Sequence, residues 1–287
     1  MPVHLDPYGS VFVVFRKPFP EKWVTSVENL KDTGVPDSNH GIDESFLAKE
    51  FESCGATLMS NSSISCRLNY SNGDQRRISI SSPPSDLVLD DSWTVKFPDG
   101  WGAPTSTIFD SLISWPDHPD EGIRYFSGTA TYQYNLMIPS GFLHHDQAYF
   151  LDLGEILDIA EVWLNQKRVG IVWKPPFRID VSQFLQEGTN FLEIKITNRW
   201  VNRLIGDEHI SVDYSYDMEG TVFTKGALKE LPGWYYDPTV SKPPKRHTFT
   251  SWKHYEADSP LLPSGLIGPV KIKAYKLVSI ENIIKQD

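Results

Sequence analysis

Carboxylates and aromatic rings are the residues most able to do chemistry in this 287-residue chain. A glycosidase needs one carboxyl group as acid and a second as nucleophile or base, about 5–5.5 Å or 6.5–9.5 Å apart according to mechanism. Asp117, Asp120 and Glu121 sit close enough in sequence to be imagined in that role. With 37 acidic residues, however, such clusters arise by chance, and a solvated acidic loop is the favoured reading. The loop offers hard oxygen ligands, so a structural calcium is conceivable, but the ligand alternation and turn glycine of an EF-hand loop are missing. His144-His145-Asp146 offers metal-binding side chains, yet adjacent histidines on an extended chain point apart, and a surface turn is expected. No catalytic residue, metal ligand or cofactor is therefore assigned. Gly-rich phosphate loops, Ser/His/Asp nucleophile signatures and HExxH helices are absent, which leaves acyl transfer, phosphoryl transfer and zinc hydrolysis without support.

The rings give a second kind of candidate. Trp115, Trp173, Trp234, Tyr235, Tyr236 and Trp252 fall on expected loops or strand ends, where a flat face can stack on a sugar. Large aromatics more often supply buried area, either at core edges or against a neighbouring domain, and that reading is preferred. Arg203 and Asp207 could together clamp hydroxyl groups. An internal ion pair fixing the loop after the strand at 190–197 is favoured over that role.

What must position these residues is a β architecture. From Tyr125 to Ile138 the pattern alternates: Phe126, Gly128, Ala130, Tyr132, Tyr134, Leu136 and Ile138 share one face, and Ser127, Thr129, Thr131, Gln133 and Asn135 the other. Further strands are expected at 148–153, 159–164, 169–173, 190–197 and 270–277. Segments 63–70 and 75–81 read as a hairpin whose Asn72-Gly73 step supplies positive φ angles. Many short strands with Gly, Pro, Asn and Asp between them argue for a sandwich or jelly roll over a parallel α/β sheet. Helix is expected only at Ser45–Leu58 and Thr107–Trp115, with a capped single turn at Asp180–Leu185. Residues 8–17 read as an apolar strand and 18–44 as a polar stretch without periodicity. The Ser-Pro-rich step at 81–85 divides the chain into a small β-rich segment, 1–85, and a larger unit, 86–287.

Composition bounds the function. Hydrophobic residues are 40%, charged 22% and aromatic 13%, which suits a packed core and excludes low-complexity classes. The net charge of -10 repels phosphate backbones and anionic lipid, so neither nucleic acid nor membrane is an expected partner. The longest apolar run, Val11–Phe15, falls far short of a membrane span, and the opening residues show no export signal. Cys54 and Cys66 could close one disulfide, but they lack zinc spacing and read as core or incidental thiols.

One stretch is more specific. Leu151-Asp152-Leu153-Gly154, the strand Ile159–Asn165, Val169-Gly170, Pro176–Asp180 and Glu187–Ile194 follow one another as strands, turns and caps. This order resembles the galactose-binding-like jelly-roll "sugar-binding" domain of family 2 β-galactosidases and β-glucuronidases. Adding Arg124–Tyr132, Trp173–Phe177, Thr197–Glu208, Ser251–Tyr255, Ser259–Val270 and Tyr8–Phe15, nearly the whole chain resembles the C-terminal region of bacterial α-L-rhamnosidases of glycoside hydrolase family 106. Gln166 stands where such turns usually carry glycine. The resemblance implies that catalytic carboxylates and a catalytic calcium belong to an upstream (α/β)₈ barrel, which the strand-rich pattern here does not accommodate. The chain is then expected to be a noncatalytic, inactive β-sandwich part of such an enzyme, with the barrel of the same parent chain as partner. The parent would be a secreted or periplasmic bacterial enzyme acting on rhamnose-containing plant polysaccharide. A separate carbohydrate-binding module that grips glycan with loop aromatics is the alternative, and a free-standing hydrolase the third reading.

Overall fold

The computed structural model describes residues 24–30, 46–52, 55–212 and 214–279. The expected strand at 8–17 and Cys54 lie outside the described residues. In chain order the first strands are β1 (Val24–Leu30), β2 (Phe46–Glu52), β3 (Gly55–Ser60), β4 (Ile64–Tyr70), β5 (Gln75–Ile80), β6 (Leu87–Val88), β7 (Trp93–Lys96) and β8 (Ser106–Phe109). Helix α1 (Glu121–Arg124) precedes β9 (Thr129–Ile138), β10 (Gln147–Asp152), β11 (Glu155–Leu157), β12 (Ile159–Leu164), β13 (Lys167–Val172), β14 (Arg178–Asp180) and β15 (Gly188–Thr197). Two short helices, α2 (Val201–Asp207) and α3 (Gly233–Tyr236), then precede β16 (Gly265–Gly268) and β17 (Lys271–Ser279).

The fold is an all-β sandwich. One sheet runs β13-β12-β15-β9-β7-β8, and the other β14-β10-β17-β3-β2, with β6 also on β17. Alternation places Ala130, Tyr132, Leu136, Val162, Leu192 and Ile194 of the first sheet against Leu151, Ile272 and Ala274 of the second, in one continuous core. A smaller sheet, β1-β4-β5, buries Cys66, Leu68, Ile78 and Ile80 against Leu58 of β3. Strand β17 pairs with β10 along one edge and with β6 and then β3 along the other, so residues on both sides of position 85 share a sheet.

The strands expected from alternation are present, with small changes at their ends. The largest change is at the start of β9, where Glu121–Arg124 form a helical turn and Ile123 and Phe126 plug the core. Two helices expected from the sequence are strands. Ser45–Leu58 contributes β2 and β3, because β3 pairs with β17 and buries Leu58 and Met59 on opposite faces, a period of two. Thr107–Trp115 opens as β8 on β7 and ends in a single 3-10 turn at Trp115–Asp117, too short a segment to nucleate a helix without tertiary help. The stretch read as aperiodic, 18–44, contains β1, which pairs with β4.

Two turns refine the expectations. In the β4–β5 hairpin only Gly73 takes positive φ, at 88°, while Gly73 N donates to Tyr70 O and Tyr70 N to Asp74 O. The positive angle thus falls on one residue, as in a type I turn followed by a left-handed glycine. Between β12 and β13 both Asn165 (φ 52°) and Gln166 (φ 65°) are left-handed. Asn165 is held there because its side chain accepts from Phe191 N at 2.9 Å and donates to Asn190 Oδ1 and Phe184 O. Gln166 occupies a conformation that glycine adopts at no steric cost.

Candidate functional site

Between β15 and β16 the chain leaves the sandwich for residues 198–264. Its two ends are tied down by asparagines. Asn198 accepts from Gly128 N and donates to Phe126 O and Ser264 Oγ, while Asn202 donates to Leu262 O and accepts from Leu262 N. Inside this excursion α2 buries Asn202, Arg203, Ile205, Gly206 and Asp207, and that polar content is unusual for a buried helix.

Charged groups organise the excursion. The Arg203 Nε and Asp207 Oδ1 atoms lie 3.4 Å apart, one helical turn from each other, an ion pair whose angle makes no hydrogen bond. Asp207 Oδ2 accepts from His247 N, Thr248 N and Thr248 Oγ1 at 3.0, 2.5 and 2.7 Å. Arg246, fully buried, donates to the carbonyls of Asp207, Ile210 and Thr248, to Glu208 Oε1 at 3.2 Å and to the Tyr214 hydroxyl. Lys253 reaches the other oxygen of Glu208 at 2.7 Å and also pairs with Glu256. Burial lowers the Arg203 pKa, opposed by Asp207 and Tyr125. For Lys253, burial pulls downward but is outweighed by Glu208 and Glu256, and the net direction is upward. Burial, then the Arg203 cation, push the His247 imidazole below its ordinary value, which favours the neutral ring.

Rings fill the spaces between these charges. Tyr214 and Phe249 pack edge to face, Trp234 and Tyr235 lean on Phe249, and Arg246, Lys253 and Lys242 lie over Tyr214, Tyr216 and Trp234. At the junction with the sandwich, Trp101 stacks on His247, with centroids 5.7 Å apart, and meets Trp200 edge to face at 5.4 Å. Tyr125 OH and His209 Nε2 lie 3.2 Å apart at the far end of α2. Glycines permit this junction: a Cβ on Gly122 would stand 2.1 Å from Gly102 O, and one on Gly206 would stand 2.6 Å from Tyr125.

The structure separates the eight residues considered from sequence as sugar contacts. Trp115 is completely buried, donates its indole N–H to Tyr132 OH at 2.7 Å and packs on Phe97 and Phe126, so neither face is open to a sugar. This corrects its placement on an exposed loop: Ser114 and Ser264 fold that segment over the end of the core. Arg203 and Asp207 are buried in the network, where they act as the internal ion pair rather than an exposed clamp. Trp234 and Trp252 are half-buried, Trp252 beneath Gly226 and Trp234 against Phe249. Trp173 is 62% exposed, and Tyr235 and Tyr236, the last two residues of α3, are exposed.

Asp117, Asp120 and Glu121 are exposed at the surface. Asp120 caps α1 by accepting from Ile123 N at 3.2 Å, and Arg124 donates to the His118 carbonyl. Among the described residues no group of three His, Cys, Asp or Glu side chains is placed to hold a metal ion. Asp146 pairs with Lys276, and Cys66 is a free, buried thiol whose pKa burial pushes up to about 11.

Sequence reasoning missed Arg246, Glu208, Trp101, Trp200 and His247. The adjacent carboxylates Asp207-Glu208 inside an otherwise apolar turn are the one local signal for the network. Arg246 follows Lys-Pro-Pro-Lys, which reads as a solvated loop.

No known protein-family description matches the chain. Over 208 residues, 71% of its length, it is 41% identical to a Formosa agariphila protein named "Putative beta-glucuronidase", of which this stretch is 17%. The structure of a rhamnosidase from Novosphingobium sp. PP1Y aligns with 85% of the chain and 25% of that protein, with a TM-score of 0.51 and 24% identity. A β-D-glucuronidase structure from Dictyoglomus thermophilum aligns with 69% of the chain at a TM-score of 0.41 and 19% identity. The chain spans about a sixth of the curated relative and a quarter of the rhamnosidase. By sequence with the first and by fold with the second, it is related to one part of much longer proteins that bear glycoside hydrolase names.

Proposed function

We propose that this chain is a noncatalytic β-sandwich part of a glycoside hydrolase of the α-L-rhamnosidase type, bracing a catalytic barrel that acts on rhamnose-containing polysaccharide. The observation that carries the reading is the breadth of the likeness: 85% of the chain aligns with a rhamnosidase, within a quarter of that protein's length. A second feature supports a bracing role. Residues 217–227 form a loop closed by Asp217 N to Ala227 O and Gly226 N to Asp217 O, with Thr221 and Thr224 bonded within it. This polar frame holds Val222 (93% exposed) and Phe223 (87% exposed) out in water, where apolar side chains gain nothing until a neighbouring domain covers them.

A carbohydrate-binding role is the second reading, favoured by the exposed rings of Trp173, Tyr235 and Tyr236. Turnover of aryl α-L-rhamnoside and aryl β-D-glucuronide separates an enzyme from both. The expected rate for the chain is background. Sugar release that disappears in Asp117→Asn, Asp120→Asn or Glu121→Gln would overturn the noncatalytic reading.

A further inference from the structure

We propose that Trp200 is a stacking platform for one pyranose unit of a glycan, backed by Trp101 and His247. This inference rests on the carbohydrate-related reading above and adds a site to it. Trp200 is 51% exposed, although α2, which begins at the next residue, is almost wholly buried. Its position is fixed from two sides. The Trp200 carbonyl accepts from Leu204 N at 3.1 Å, and Trp101 meets the indole at 5.4 Å and an interplanar angle of 60°.

Trp101 is itself clamped. His247 lies parallel to it at 21°, Arg203 donates to its carbonyl, and Gly102 (φ 89°) passes so close that an added Cβ would stand 3.2 Å from His247 Nε2 and 3.3 Å from the Arg203 guanidinium. Three chain segments, around Trp101–Gly102, Trp200–Leu204 and His247, thus converge to hold one half-open ring at a set angle. A rigid aromatic face loses little conformational entropy on binding, which is the main requirement for gripping a weakly hydrophobic ligand.

The surroundings suit a sugar better than a protein. A pyranose presents an apolar C–H face to stack on a ring, with hydroxyls at its edge that need polar partners. Next to Trp200 in the chain, Arg199 has a 61% exposed side chain and pairs through Nε with Asp158 Oδ2 at 2.8 Å, so a guanidinium donor and a carboxylate acceptor are carried one residue from Trp200 along the chain. His247, neutral at physiological pH, adds no charge behind it.

The test uses the full chain with methyl α-L-rhamnopyranoside and methyl β-D-glucopyranosiduronate, each titrated to about 100 mM while indole N–H resonances and tryptophan fluorescence are followed, a range that captures millimolar affinity. At least one glycoside should perturb the Trp200 indole saturably, and Trp200→Ala should weaken binding about tenfold or more. Ile108→Ala, a comparably exposed apolar side chain on β8 in the sandwich, should leave binding unchanged. Trp200→Ala is expected to fold, because the ring is half in water, and near-UV circular dichroism checks this. Equal affinity in Trp200→Ala, or binding abolished by Trp173→Ala instead, would overturn this site while leaving the carbohydrate reading standing. A chain that answers to neither glycoside would overturn the site as well, and the noncatalytic reading would still be decided by turnover.

Discussion

The sandwich and the excursion at 198–264 solve the same problem with different materials. In the sandwich, paired strands satisfy the backbone, and alternating apolar residues such as Ile194, Val162 and Ile272 fill the interior. Across 208–258 no named strand runs through the described residues, and Arg246, Glu208, Asp207 and Lys253 satisfy the backbone and one another while tyrosines and tryptophans fill the gaps. An apolar core tolerates exchange of one hydrophobe for another of like volume. A buried charge network does not, because removing one partner leaves another desolvated and unpaired. The difference teaches that an irregular segment can be held in one shape when its buried charges are bonded to its backbone and to one another.

The largest expected effect tests this contrast directly. Arg246→Leu should cost about 3–5 kcal/mol, the range for breaking a buried ion pair, and hydrogen exchange should show lost protection within 208–258 while β9 and β15 stay protected. Ile194→Ala should cost about 2–5 kcal/mol but lower the denaturation midpoint of the whole sandwich. If Arg246→Leu unfolds both regions together, the excursion is not a separable unit.

A smaller effect is expected from pH. The folded-state pKa of His247 is held below the ordinary 6.5, so the folded protein binds the proton less readily than the unfolded chain. The stabilisation from the neutral ring is complete above about 6.5 and declines as pH falls from there toward the depressed folded value. Acidification from pH 7 to 5 should therefore loosen the excursion before the sandwich, and His247→Gln should flatten that dependence. Protection factors of 246–250 that do not change with pH in the native protein would contradict the assignment.

The smallest effect lies in the sandwich alone. Gln166→Gly should raise stability by about 1 kcal/mol, because it removes the steric cost of a left-handed residue, less glycine's own entropic penalty. Thermal unfolding measures it, and exchange in 208–258 should not move.

Legibility in the sequence followed the same divide. The face of β9 was readable residue by residue, since its burial obeys a local period of two. Strand β3 was not, because its apolar spacing also fits a helix and only β17, far along the chain, decides between them. Within the candidate site, the Arg203–Asp207 ion pair was expected, but in a loop; the helix α2 that sets the two residues one turn apart was not. Arg246 was invisible for the opposite reason: nothing near it in the chain requires burial, and its partners Asp207 and Glu208 are supplied by tertiary folding. Trp115 misled because its neighbours Pro116 and Asp117 read as a surface loop, while its indole closes the end of the core.

The pairing of β3 with β17 also sets the order of events when the protein is made. Ser60 leaves the ribosome more than two hundred residues before Lys276, its partner across the ladder. Until then β3 has a free edge, and the later part of the sandwich grows without the strand that completes its second sheet. Contacts so distant in sequence are slow to form, and an exposed edge is a template for the wrong strand. The emergence of β17 is therefore the step at which the small sheet and the sandwich become one folded body. Chaperone protection would count most in the interval just before it.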